Sequence, residues 1–257
     1  IPFAIEGYGI IYNNAIMKKY FALSGAAVAS MDKINSFDTL KKVVEDMSKK
    51  KSDLGIEGVF ASTSLATGED WRWQTHLANV PIYYEFQANN VDLKSAAATA
   101  EIKFQYGEHF QKLFDLYLNN STVDKKLLGS KSVNDSMAEF ALGKAAMVQN
   151  GNWAYGQISG VSGNTVKAED VKFLPLYMGI SGEETQGLCI GTENFFCINK
   201  KASAEDQQAS LDFLNWLYTS DKGKAHVTKD LGFIAPFDTF GDADKPSDPL
   251  AQEVLAW

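Results

Sequence analysis

The sequence predicts an α/β fold, and three observations carry that prediction. Capped amphipathic helices alternate with short apolar runs of strand length, the pattern of a sheet covered by helices. The chain of 257 residues is 45% hydrophobic, enough for one large or two small domains around a sizeable core. The third is the stretch Phe140-Ala-Leu-Gly-Lys-Ala-Ala-Met-Val-Gln-Asn-Gly-Asn-Trp153. It reads as a helix end, a glycine stop at Gly143, a short buried strand over Ala145 to Val148, a polar break at Asn150-Gly-Asn152, and a helical turn from Trp153 to Ile158. A strand running into a loop and a helix start is where open α/β sheets bind ligands.

Taken in order, Ile1 to Tyr12 is apolar and strand-like. Glu6-Gly-Tyr-Gly9 interrupts it, which suggests a bent strand or two strands meeting at a hinge. Asn13 or Asn14 caps the helix that follows. Asn35-Ser36 caps a helix whose Phe37, Leu40, Val43, Val44 and Met47 form one apolar stripe. Gly55 to Ala61 reads as turn plus strand, and Ser62 to Gly68 as a small polar loop. Asp70-Trp-Arg-Trp73 then opens a helix reaching His76 and Leu77. Trp71 and Trp73 fall on different sides of that helix, so one is expected to face a cleft and the other the core. Pro81 to Phe86 is expected as an aromatic-rich strand, Ala96 to Leu118 as a long helix, and Asn119 to Ser132 as a polar linker. A short capped helix around Asn134 leads back to the Phe140–Trp153 stretch. Val171 to Pro175 is another buried strand. Gln186 to Asn199 is read as strand segments around a Gly191-Thr-Glu-Asn194 turn. Ser203 with Asp206 opens a strong helix, and Ser220-Asp221 caps a second one ending near Leu231-Gly232. The chain closes in an incipient helix over Leu250 to Trp257.

Charge and motif content exclude several classes. A net charge of −8 argues against nucleic acid or an anionic membrane surface as partner. No apolar run approaches membrane-spanning length. No P-loop or dinucleotide fingerprint occurs, and no cofactor is called for. His76, His109 and His226 are scattered without metal spacing and are expected at surface or helix positions. Asp242-Ala-Asp244 with Asp248 and Glu253 mimics a calcium loop, but Pro246 and Ser247 stand where that loop needs a ligand and a glycine. Cys189 and Cys197 match no zinc or redox spacing. They could face each other across a hairpin, although strand cysteines are more often buried thiols. Glu6 and Glu193 could converge on one cleft as a carboxylate pair for glycoside hydrolysis, but neither sits in a catalytic motif, so polar ligand-binding or hinge roles are preferred.

The run F-x-x-G-K-A-A-M followed by N-G-N-W resembles the signature of sugar-type solute-binding proteins of bacterial ABC importers, the maltose-binding-protein-like group. Other parts of the chain match in order and spacing. These are the crossing that ends in Tyr12-Asn-Asn14, with Asn14 where the family usually has lysine, the Lys172-Phe-Leu-Pro-Leu176 strand, and the Gly232-Phe-Ile-Ala-Pro236 return. The resemblance implies a two-lobed, type II periplasmic-binding-protein-like α/β architecture, one lobe nearly complete and the other truncated. Residues 1–9 would be a hinge crossing, 10–178 the second lobe, 179–235 a segment of the first lobe, and 236–257 a truncated return. On this reading the chain is a fragment lacking the N-terminal half-lobe and the C-terminal end. It begins without an initiator methionine or signal segment, and it is prone to self-associate through the uncovered unit.

The implied function is capture, not catalysis. A sugar or oligosaccharide binds between the lobes and is delivered to ABC permease subunits at the outer face of the membrane, by a periplasmic protein or a lipoprotein. In the family the tryptophan of this loop stacks on sugar, which falls on Trp153 with Asn152 beside it. The acidic residue of the first crossing falls on Glu6, with Tyr8 next along it. The aromatic of the helix start falls on Trp71, flanked by Asp70 and by Arg72, whose guanidinium suits hydroxyls or a carboxylate. Glu193 completes the candidate set. The alternatives are a secreted glycoside hydrolase and a non-catalytic adhesion module.

Overall fold

The computed structural model describes residues 1–257 except Thr63 and Ala96, and of Glu193 the backbone alone. Its axis is strand β1 (Pro2–Asn13), twelve residues long and unbroken. Of the two readings of Glu6–Gly9, two separate strands are excluded, because one strand runs through it. Gly7 and Gly9 are there for close approach: a Cβ on Gly7 would lie 2.5 Å from Val254, and one on Gly9 would lie 2.6 Å from the Leu174 carbonyl oxygen.

After β1 come α1 (Asn14–Phe21), capped by the Asn13 side chain, α2 (Phe37–Lys49), the single turn α3 (Lys51–Leu54) and β2 (Gly58–Phe60). Then follow α4 (Ala78–Ala88), α5 (Gly107–Asn119), α6 (Val133–Ala141), β3 (Ala145–Gly151), α7 (Ala154–Ser159) and β4 (Val171–Leu174). The chain ends through β5 (Cys189–Phe195), α8 (Ala204–Thr219), α9 (Asp221–Ala225) and α10 (Pro249–Ala256). The caps read from sequence are in place. Ser36 caps α2, Ser203 caps α8 with Asp206, and Gly143 takes φ +71° after α6.

Among the described residues five strands form one mixed sheet in the order β2-β3-β1-β4, with β5 also on β1. The second half of β1 lies between β3 (Tyr8↔Gly151 to Tyr12↔Met147) and β4 (Ile10↔Leu174 to Asn13↔Val171). Its first half leaves the sheet with β5 as an antiparallel ribbon, from Tyr8↔Cys189 to Pro2↔Phe195. Alternation along β1 sends Tyr8, Ile10 and Tyr12 into a large core with the apolar stripe of α2 and with Phe60, Trp73 and Tyr117. Ile5 and Ile11 face a second core built on Phe140, Ile158, Phe173, Leu250 and Val254. Leu214, Tyr218 and Val227 form a third cluster at the ribbon, where Phe3 packs edge-on against Phe196 and Phe233 at 4.9 Å each. Leu211, Phe213 and Trp216 on α8 remain exposed.

Three expected elements are corrected. Pro81 to Phe86 is helical, inside α4, which continues from a π-helical turn over Arg72–Leu77. The long helix from Ala96 starts only at Gly107, after a 3₁₀ turn over Ala98–Glu101. One residue accounts for much of the second difference. The fully buried Glu85 carboxylate of α4 accepts the backbone N–H groups of Lys103 and of Gln105 (2.6 Å), holding that segment out of the helix. Gly191-Thr-Glu-Asn194 lies inside strand β5, since β1 pairs with Gly191, Thr192 and Glu193, and only Asn194 keeps a turn-like φ of +59°. Cys189 and Cys197 therefore sit at one strand and just beyond its end, not across a hairpin, and both are free thiols. Burial pushes the Cys189 thiol up to about 11.

Candidate ligand-binding site

The candidate site lies where β1, the end of β3 and the start of the Arg72–Leu77 turn meet. Asn152 continues the β3–β1 pairing by one residue: its N–H donates to the Gly7 carbonyl and its Oδ1 accepts the Gly7 N–H, both at 2.9 Å. That clip sets Trp153 at the entry of α7, half-buried. The indole lies over Gly151, where a Cβ would fall 2.1 Å from Cη2 and Cζ3. Only glycine leaves room for the ring there.

Trp71 arrives from the other side. Arg72 is buried, and its guanidinium lies 4.1 Å from the centre of the Trp71 ring, a cation–π contact that sets the ring's orientation. Arg72 Nε donates to Asn150 Oδ1 (3.1 Å) and Nη1 to the Glu69 carbonyl (3.2 Å), tying the loop to the end of β3. Burial lowers the Arg72 pKa, and the nearby Glu69 charge opposes that shift. Trp73 instead points into the large core against Phe114 and Tyr117.

His76 sits at the middle of the cluster. Its ring stacks on Tyr8 at 4.1 Å and 12°, meets Trp71 edge-on at 4.9 Å, and lies 5.4 Å from Trp153. Trp71 and Trp153 are 6.0 Å apart. Of the surface or helix position expected for His76, the helical one holds, and the residue is 4% exposed. Burial and the Arg72 charge push its pKa down to about 4, so the imidazole is neutral near pH 7. In an α-helix residues 71 and 76 stand about 140° apart around the axis, whereas the wider π turn, closed by i→i+5 bonds, brings them together. Helical periodicity read from the sequence therefore gave no sign that the two share a site.

Two recesses flank the cluster. One, of about 630 Å³, opens beside Tyr8 and is walled by Asn79, Tyr83, Tyr84, Gln87 and Gln186. Asn79 Nδ2 donates to Tyr8 Oη at 2.8 Å, and Tyr84 Oη donates to Gln186 Oε1 at 2.8 Å. The other, of about 370 Å³, is walled by Glu6, Asn152, Trp153, Tyr155, Lys229 and Asp248. The structure thus brings together Trp153, Trp71, Arg72 and Tyr8, with Asn152 as the clip beneath them and Glu6 in the recess beside Trp153. Asp70 is turned to its own helix, where its carboxylate accepts from Gln74 Nε2 at 2.5 Å. The register places Glu193 opposite Ala4, and its side chain lies outside the described residues. Sequence reading missed His76, Asn79, Tyr83 and Tyr84, the last two because Pro81 to Phe86 reads as a strand. No group of three or more His, Cys, Asp or Glu among the described residues suits a metal ion.

A family model described as bacterial extracellular solute-binding protein matches residues 1–253. The chain belongs to that family. Its fold is the α/β, type II periplasmic-binding-protein-like architecture of sugar-binding proteins of ABC importers. A solved chitin oligosaccharide binding protein superposes with a TM-score of 0.69 at 17% identity over 100% of this chain and 58% of that one. RafE, solved with raffinose, gives 0.62 at 16% over 98% of this chain and 60% of its own. An ABC-transporter binding protein from Bifidobacterium animalis subsp. lactis, solved with mannobiose, gives 0.60 at 19% over 96% and 53%. The chain of this solute-binding protein therefore spans under two thirds of the length of those structures. No curated protein sequence matches it. No helix among the described residues is long and apolar enough to cross a membrane.

Proposed function

We propose that this solute-binding protein captures a sugar or oligosaccharide at the Tyr8–Trp71–His76–Trp153 cluster and hands it to the membrane permease of an ABC importer. The observation that carries the reading is that cluster itself, two half-exposed indoles beside a neutral imidazole, set between two recesses. Indole faces match the C–H faces of pyranose rings while keeping a polar edge. Asn79, Gln87 and Gln186 add amide donors and acceptors around the larger recess, which suits hydroxyl-rich ligands. Sugars named with the similar structures, among them raffinose and mannobiose, support the same ligand class.

In this reading Trp153 and Trp71 are stacking platforms, Arg72 holds Trp71 in place, and Glu6 accepts hydroxyl hydrogen bonds from the second recess. Residues 1–9 and the 179–235 segment serve as the crossing and the first-lobe part against which residues 10–178 close, with ligand favouring the closed state. The role is receptor, not catalyst, and the place of work is outside the cytoplasmic membrane.

The test is a panel of mono- and oligosaccharides in thermal-shift and calorimetric titrations of the natural protein. A bound sugar at a hundred times its Kd stabilises the fold by about 2.7 kcal/mol. Absence of any shift or heat across neutral, amino and acidic sugars would remove the reading.

A further inference from the structure

His76 Nδ1 is fully buried and has no hydrogen-bond partner. Buried polar atoms of side chains are nearly always paired, so an unpaired one at the centre of a candidate site needs a partner from elsewhere. Tyr8 covers one face of the imidazole and is itself buried and held by Asn79. Trp71 and Trp153 pack against the imidazole from other directions, and both are half-exposed. A partner can reach Nδ1 when those two side chains part. Trp73 Nε1, Ser121 Oγ and the Gln149 amide are also unpaired, but the ring neighbours of Trp73 are core residues, and neither Ser121 nor Gln149 belongs to the aromatic cluster.

Building on the sugar-receptor reading above, we infer that His76 is a ligand-binding residue: its Nδ1 hydrogen-bonds a hydroxyl of the bound sugar, which inserts between Trp71 and Trp153. The chemistry is matched on both sides. A neutral imidazole offers one donor and one acceptor nitrogen, and a hydroxyl can do either, so the pair forms in either tautomer. In the free protein the two indoles pack against an imidazole that is 4% exposed. The sugar replaces those indole contacts with stacking on their faces and supplies the missing hydrogen bond in the same step.

The experiment compares His76→Phe, His76→Asn and His76→Gln in the natural protein, using the sugar that binds the wild type most tightly. Phenylalanine keeps a flat ring on Tyr8 and removes both nitrogens. Asparagine returns a polar atom near the Nδ1 position, and glutamine returns one near Nε2. The expected result is a Kd raised by about tenfold or more in His76→Phe, recovered largely in His76→Asn and not in His76→Gln. The melting temperature of unliganded His76→Phe should be no lower than that of the wild type, because no protein hydrogen bond to Nδ1 is lost. Wild-type affinity in His76→Phe would overturn the inference and leave the receptor reading intact. Equal losses in all three variants together with lowered melting temperatures would show that the imidazole acts only through packing, which also overturns it. A wild-type protein that binds no sugar would overturn both.

Discussion

Replacing Gly151 by alanine tests the geometry of the platform without touching any group that would meet the ligand. The new Cβ would lie 2.1 Å from Trp153 Cη2 and Cζ3 and 2.6 Å from Cε3. Carbon atoms rest at about 3.5–4.0 Å, so the ring must retreat by about 1.5 Å or more. Gly151 is not among the glycines with positive φ, so the backbone accepts alanine and the whole strain falls on the indole. Trp153 is half-buried at a helix entry and can swing outward. The stability loss should therefore sit near the low end of the overpacking range, about 1 kcal/mol. A displaced tryptophan platform costs far more in binding, about 2 kcal/mol or more, or roughly a thirtyfold rise in Kd. Trp153→Ala serves as the comparator and should lose affinity by a similar factor, at least about tenfold. Tryptophan fluorescence titration reads the affinity, and the urea midpoint at constant m-value reads the stability. Wild-type affinity in Gly151→Ala would refute the placement of the ring. Early unfolding of both variants, with normal binding by the folded fraction, would make Trp153 a core residue and not a platform.

Glu6→Ala should weaken sugar binding several-fold in calorimetry while the protein stays folded, since Glu6 walls the recess beside Trp153 on a strand whose ladder is backbone-made. Stability should depend on pH through His76. The unfolded imidazole takes its proton near pH 6.5 but the folded one only near 4, so within that window the unfolded state binds more protons and stability falls as pH is lowered. The full penalty is about 3 kcal/mol, so His76→Phe should gain urea stability relative to wild type from pH 7 to pH 4; a constant difference would count against a neutral buried imidazole. The exposed Phe195, Phe213, Leu211 and Trp216 around the ribbon form an apolar surface, so the 257-residue chain should self-associate in light scattering at high concentration, and a strict monomer would contradict that.

Local chemistry made much of this protein legible in its sequence. The stripe of α2, the Ser36 and Ser203 caps and the Gly143 stop were readable because their causes lie within a few residues of one another. The Phe140–Trp153 stretch pointed to the candidate site for the same reason: a strand, its stop and the following tryptophan are contiguous. Tertiary contacts decided the rest. Tyr83 and its neighbours have strand-like composition, yet they lie in α4, which is anchored from within by the Glu85 carboxylate and by backbone donors eighteen and twenty residues away. Gly191–Asn194 has turn composition, yet it is strand because β1, nearly two hundred residues earlier, supplies its ladder. His76 showed no signal because its proximity to Trp71 depends on a π turn, and its proximity to Tyr8 on strand placement. Propensity, capping and periodicity are sums over near neighbours. A site assembled from residues 8, 71, 76 and 153 is set by which distant groups satisfy one another once the sheet has formed.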